Sequence, residues 1–103
     1  MQVRKDRRIR VNLPVEVQTL PEESARRSKG MLHDLSPGGC SLFSEARLPV
    51  GNRVQVRIHL NEKLREKFGR QELTARGAVI RSIPKGEGYL ITLRFLPARA
   101  AVK

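Results

Sequence analysis

The sequence predicts an all-β domain, a small antiparallel barrel or sandwich. Three observations carry that expectation: six or so short segments alternate apolar and polar residues, clusters of turn formers separate them, and no long amphipathic helix interrupts the series. The length, 103 residues, suits one domain with one core. Closure into a barrel would also remove free edges from a chain rich in β-branched residues.

From Ile9 onward, Val11, Leu13, Val15 and Val17 alternate with Arg10, Asn12, Pro14, Glu16 and Gln18, the period of a half-buried strand. Pro14 has no N–H to give a ladder, which assigns it to a sheet edge or a bulge. Pro21 to Gly30 carries Glu, Ser, Arg and Lys without apolar periodicity and reads as a mobile loop. Met31 to Leu35 is a short strand. Ser36-Pro37-Gly38-Gly39 then packs four turn formers together, forcing a sharp change of direction before Cys40, Leu42 and Phe43 resume an extended run.

Leu48-Pro49-Val50-Gly51-Asn52 punctuates the chain a second time, ahead of a strand marked by Val54, Val56, Ile58 and Leu60. Asn61 to Gln71 is highly charged, with Leu64 and Phe68 four apart. It fits either about two turns of helix or a long hairpin loop, and the expectation is a loop with some helical content. Leu73, Ala75, Gly77 and Val79 alternate again, Pro84-Lys85-Gly86-Glu87-Gly88 turns the chain, and Tyr89, Ile91, Leu93 and Phe95 finish the pattern as the second arm of a hairpin.

Charge narrows the partners. Twenty-one Lys and Arg against 10 Asp and Glu give a formal +11 at pH 7, a field that concentrates nucleic acid, an acidic membrane surface, an acidic protein or a small phosphorylated ligand. Charge alone does not choose among these, and a chain from an arginine-rich genome would be equally basic. No apolar run approaches the roughly 20 residues needed to cross a bilayer, so no membrane span is expected. The basic N-terminus lacks an apolar region behind it, and the single cysteine, Cys40, cannot form an internal disulfide. Both agree with a cytoplasmic location.

Catalysis needs nucleophiles, bases or metal ligands in one place, and His33, His59 and Cys40 are a thin supply. His59 falls on the polar side of its strand. His33 beside Asp34 is no evidence for a catalytic triad or a zinc site, and Cys40 reads as a small core residue. No enzyme activity, metal or cofactor is expected.

Anion-binding features are stronger. Arg4 and Arg8, with Lys5, Arg7 and Arg10 around them, let two guanidinium forks converge on one ligand if the leader is turned, although a solvated tail would carry the same spacing. In Asp34-Leu35-Ser36-Pro37-Gly38-Gly39, Asp34 supplies an acceptor, Ser36 a rotatable hydroxyl, and Gly38-Gly39 a backbone able to take φ > 0 and to admit a ligand closely. Equally, such residues form ordinary turns by bonding their own backbone.

Together these segments resemble the PilZ family. Arg4-Lys5-Asp6-Arg7-Arg8 is similar to its Arg-x-x-x-Arg arm, and Asp34-Leu35-Ser36-Pro37-Gly38-Gly39 to its Asp/Asn-x-Ser-x-x-Gly turn. Ile9 to Val15, Leu48-Pro49-Val50-Gly51 and the Ala75–Phe95 region with its Leu93-Arg94-Phe95 ending extend the likeness over nearly the whole chain. The resemblance implies a six-stranded antiparallel barrel over residues 9–97, a flexible basic arm over residues 1–10 and a short tail over 98–103. It implies that cyclic diguanylate lies on the outer surface, held by Arg4, Arg8, Asp34, Ser36 and Gly39, with Lys5, Arg7, Gly38 and Arg81 as candidates for additional contacts. The family often has a further basic residue before the first arm arginine, where this chain has Val3, a position thought to influence whether one or two ligands are held.

The expected function is a non-enzymatic sensor in which the ligand orders the arm and alters the surface read by a downstream protein, as monomer or homodimer. One alternative is a basic nucleic-acid-binding barrel, short of stacking residues with one Tyr, three Phe and no Trp. The other is a protein-docking module of the same family that binds no nucleotide.

Overall fold

The computed structural model describes residues 8–21, 23 and 25–97. The strands are β1 (Ile9–Thr19), β2 (Arg27–Ser36), β3 (Gly39–Ser44), β4 (Arg53–His59), β5 (Glu72–Lys85) and β6 (Gly88–Phe95), and one helix, α1 (Glu62–Phe68), joins β4 to β5. All neighbours are antiparallel, and the order β1-β2-β3-β6-β5-β4 closes because β1 pairs with β2 on one side and β4 on the other. A six-stranded antiparallel barrel is therefore the architecture.

The period of two decides what fills it. Leu13, Val15 and Val17 of β1, Leu32 of β2, Leu42 of β3, Val54, Val56 and Ile58 of β4, Val79 of β5, and Ile91 and Leu93 of β6 all point inward and are buried, with Leu48 and Leu60 closing the ends. Each such side chain contributes about 1.5–3 kcal/mol of burial. Cys40 joins them, 1% exposed, and burial pushes its thiol up to about 12, with the charge of Asp34 adding to the rise and that of Arg8 opposing it. The thiol stays protonated and acts as a small apolar residue.

Pro14 lies opposite Met31 of β2, before the ladder to β4 begins at Val15 and just after a β1 irregularity between Arg10 and Leu13, so its missing N–H costs no bond to β4. Three segments differ from the sequence reading. Arg27–Gly30, expected as loop, is strand, because it pairs with Val15–Gln18 and Gly30 lets β3 come close. Asn61–Gly69 is a capped helix rather than a loop. Asn61 Oδ1 accepts from the Leu64 N–H at 2.9 Å, and Gly69 at φ 71 ends it. β5 runs on to Lys85, through Pro84 and Lys85 that were expected in the turn, with an extra residue at Ile80 that reverses the alternation. No helix among the described residues is long and apolar enough to cross a membrane.

Candidate functional site

Strands β2 and β3 meet in the two-residue turn Pro37-Gly38, with Ser36 opposite Gly39. The reason for glycine at position 39 is steric: a Cβ there would sit 2.2 Å from the Leu93 carbonyl oxygen of β6. Neither Gly38 nor Gly39 takes a positive φ, so the left-handed freedom expected of this pair is unused. Ser36 is buried, and its hydroxyl donates to the Gly39 carbonyl at 3.2 Å. The Phe95 N–H at the end of β6 donates to the Gly38 carbonyl at 2.9 Å. The turn is fastened from inside and from behind.

Asp34 stands two residues before Ser36 with its side chain 23% exposed. Arg8, just ahead of β1, donates through Nη1 to Asp34 Oδ1 at 2.7 Å. The two sequence motifs, 26 residues apart, thus meet in a direct ion pair. Arg4, Lys5 and Arg7 lie outside the described residues.

A shallow depression of about 710 Å³ opens beside Asp34, walled by Arg10, Asn12, His33, Ser41, Lys85 and Leu90. Its composition follows from register. Arg10 pairs with Asp34, Asp34 with Ser41, Ser41 with Thr92, and Thr92 with Arg81, one row across five strands. His33 is the extra residue between the Leu32 and Asp34 pairings with β3, which turns it outward beside the carboxylate. Arg81 is exposed at the far end of the row, three strand spacings or roughly 14 Å from Asp34. Ser41 and Lys85 were not singled out from the sequence as site residues, because they reach Asp34 from other strands, while Arg10 was read only as part of the basic leader and His33 only as a catalytic candidate.

Chemically the corner offers a carboxylate acceptor, guanidinium and ammonium donors, an imidazole and hydroxyls at one open surface, which suits a polar, anionic, planar ligand. Among the described residues no three His, Cys, Asp or Glu side chains gather as a metal site. His59, on the outer face of β4, faces Glu72 at 3.6 Å, away from this corner.

A family model described as PilZ domain matches residues 2–103. Among solved structures, the chain is similar to the Bacillus subtilis inhibitor of motility (MotI/DgrA), with 22% identity, 97% of this chain and 46% of that one covered, and a TM-score of 0.66. It is similar to the PilZ domain of YcgR from Escherichia coli with c-di-GMP (22%, 96% and 82%, TM-score 0.62), and to MrkH of K. pneumonia in complex with c-di-GMP (19%, 96% and 47%, TM-score 0.67). The chain spans about half the length of the first and third of these. No curated protein matches it significantly in sequence.

Proposed function

The chain belongs to the PilZ domain family, and we propose that it is a cytoplasmic, non-enzymatic receptor for cyclic diguanylate (c-di-GMP) whose arm, residues 1–10, folds over a nucleotide seated at Asp34. The observation that carries this reading is the Arg8–Asp34 ion pair, which brings the arm and the turn to one point.

A guanine offers N1–H and N2–H to a carboxylate and O6 and N7 to a guanidinium, so Asp34 and Arg8 match adjacent edges of the same base. Arg4 adds a second fork for phosphate, while Ser36 and Gly39 shape the rim and Lys5, Arg7, Gly38 and Arg81 are candidates for further contacts. In the free domain Arg8 neutralises Asp34. With side chains 52% and 23% exposed, that pair contributes no more than about 1 kcal/mol. Exchanging it for nucleotide contacts is therefore cheap. Ordering the arm costs more, roughly 1–2 kcal/mol per backbone residue fixed, so several strong contacts must act together. The ordered arm then changes the surface a partner protein reads.

Titration calorimetry with cyclic diguanylate tests the scheme. Arg8→Ala should weaken binding about a hundredfold and Lys5→Ala only a few-fold, given about 1–3 kcal/mol for a bidentate guanine contact. Equal losses would remove the arm from the mechanism. A general nucleic-acid-binding barrel is favoured by the +11 charge, but Tyr89 and Phe95 are partly buried against the core and make poor stacking platforms. A steep salt dependence with long oligonucleotides and no preference for the cyclic ligand would favour that reading instead.

A further inference from the structure

A second recessed surface shares no residue with the depression at Asp34. Two shallow hollows meet at Arg53, Arg76 and Leu96, and one of them has an apolar floor of Ala75, Phe95, Leu96 and Pro97. Register concentrates positive charge around it. Ala78 of β5 pairs with Arg53 of β4 on one side and Arg94 of β6 on the other, and Arg76 lies two residues along the same face. Directly opposed side chains stand about 5 Å apart and diagonal ones about 7–8 Å, and the Ala78 methyl leaves the space between the guanidiniums open. All three arginines are exposed. Among the described residues none has an acidic partner within 4.0 Å: the ion pairs are Arg8–Asp34, Arg57 with Glu16 and Glu72, and His59–Glu72. Glu23 lines the neighbouring hollow, with no ion pair among the described residues. Three like charges held together repel one another, a cost that an anionic occupant relieves.

The floor decides which occupant. Phe95 is half-buried against the core and shows only part of its ring in the floor, a poor platform for base stacking, whereas an apolar trough with a cationic rim complements a peptide segment carrying both carboxylates and aliphatic side chains. The trough is also wired to the recognition turn. The Phe95 N–H donates to Gly38, and the next residue, Leu96, donates its N–H to the Arg76 carbonyl, both at 2.9 Å. We propose that this groove seats an acidic, partly aliphatic segment of a partner protein, and that nucleotide binding at the Asp34 corner retunes it through the Phe95–Leu96 linkage. The coupling rests on the nucleotide reading above, while the groove stands on its own geometry.

The test is fluorescence anisotropy on the full chain with a labelled peptide of alternating Glu and Leu, about 12 residues long, at about 50 mM salt, where surface charge is weakly screened. The same preparations are titrated calorimetrically with cyclic diguanylate. Arg53→Glu with Arg76→Glu should weaken peptide binding at least about tenfold. Arg27→Glu with Lys29→Glu, an equal charge change at exposed positions of β2, should weaken it less than about threefold. Saturating nucleotide should shift peptide affinity by about threefold or more. Absence of peptide binding, or equal losses from the two double variants, would overturn the groove. So would stronger competition by duplex DNA of matched charge, lost in the same variant, which would make the face a nucleic-acid surface. An unshifted affinity with nucleotide demonstrably bound would overturn the coupling. Failure of the nucleotide to bind would instead sink the receptor reading, with the charge-swap comparison still deciding the groove.

Discussion

The β2–β3 and β5–β6 hairpins are built alike and held differently. Each closes with a two-residue turn, Ser36 facing Gly39 in one and Lys85 facing Gly88 in the other, and each carries an extra residue, His33 or Ile80, that swings its outer face. Around Pro37-Gly38, however, the backbone of β6 presses on Gly39, Phe95 bonds to Gly38, and Ser36 bonds across the turn. At Gly86 the chain depends on a local conformation, φ 59, with nothing within 4 Å of where a side chain would begin. Gly88, the counterpart of Gly39, is pressed in its turn by the Phe43 ring and the Ser44 carbonyl, so what sets the first turn apart is the pair of hydrogen bonds from Ser36 and Phe95, and what sets the second apart is the left-handed Gly86. If Asp34 receives the nucleotide as proposed, the hydrogen bonds around Pro37-Gly38 are what hold it at fixed geometry.

Substitutions sharpen that contrast. Gly39→Ala should do most, since its new carbon meets carbonyl backbone that cannot swing aside. A loss of about 3 kcal/mol or more in urea unfolding is expected, with nucleotide binding falling alongside. A variant of undiminished stability would show the corner to be unbraced.

Next in size is a pH effect at Cys40, which is buried beneath that corner. Its thiol titrates near 9.0 when exposed and is pushed up to about 12 in the fold. The folded chain thus keeps its proton more tightly than the unfolded one, so stability is whole below pH 9 and falls between pH 9 and 12. At about pH 10.5 the loss should be roughly 2 kcal/mol relative to pH 8, and Cys40→Ala should remove that part of the pH dependence. Parallel profiles for the two proteins would contradict the buried thiol.

Gly86→Ala should cost only about 1 kcal/mol, the penalty for a side chain in the left-handed region, and leave nucleotide binding intact. Arg8→Ala should change stability least, within about 1 kcal/mol, although on the proposed scheme it should remove most of the binding. A large stability loss there would turn the arm contact into part of the scaffold.

The barrel was legible wherever one strand face meets the core without interruption, as at Val11–Val17, Val54–Ile58 and Tyr89–Phe95. It was obscured where small or polar residues take inward positions. Ser28 and Gly30 are half-buried yet carry no apolar signal, and Ile80 shifts the phase of β5 so that the residues beyond it no longer alternate in register with those before. The helix at Glu62–Phe68 packs only Leu64 against the core, too little to show an amphipathic period. Of the candidate site, Asp34, Ser36 and Gly39 are neighbours in sequence and readable as a motif. Arg10, Ser41 and Lys85 arrive from other strands, and no local pattern announces a cross-strand row.

The bond from Phe95 to Gly38 has a temporal consequence. The Pro37-Gly38 turn is synthesised some 57 residues before the strand end that braces it. A half-synthesised domain therefore holds the carboxylate and serine without the backing that aims them. On the proposed reading, competence to bind the nucleotide should appear only when β6 docks, so that a barrel lacking β6 should bind none.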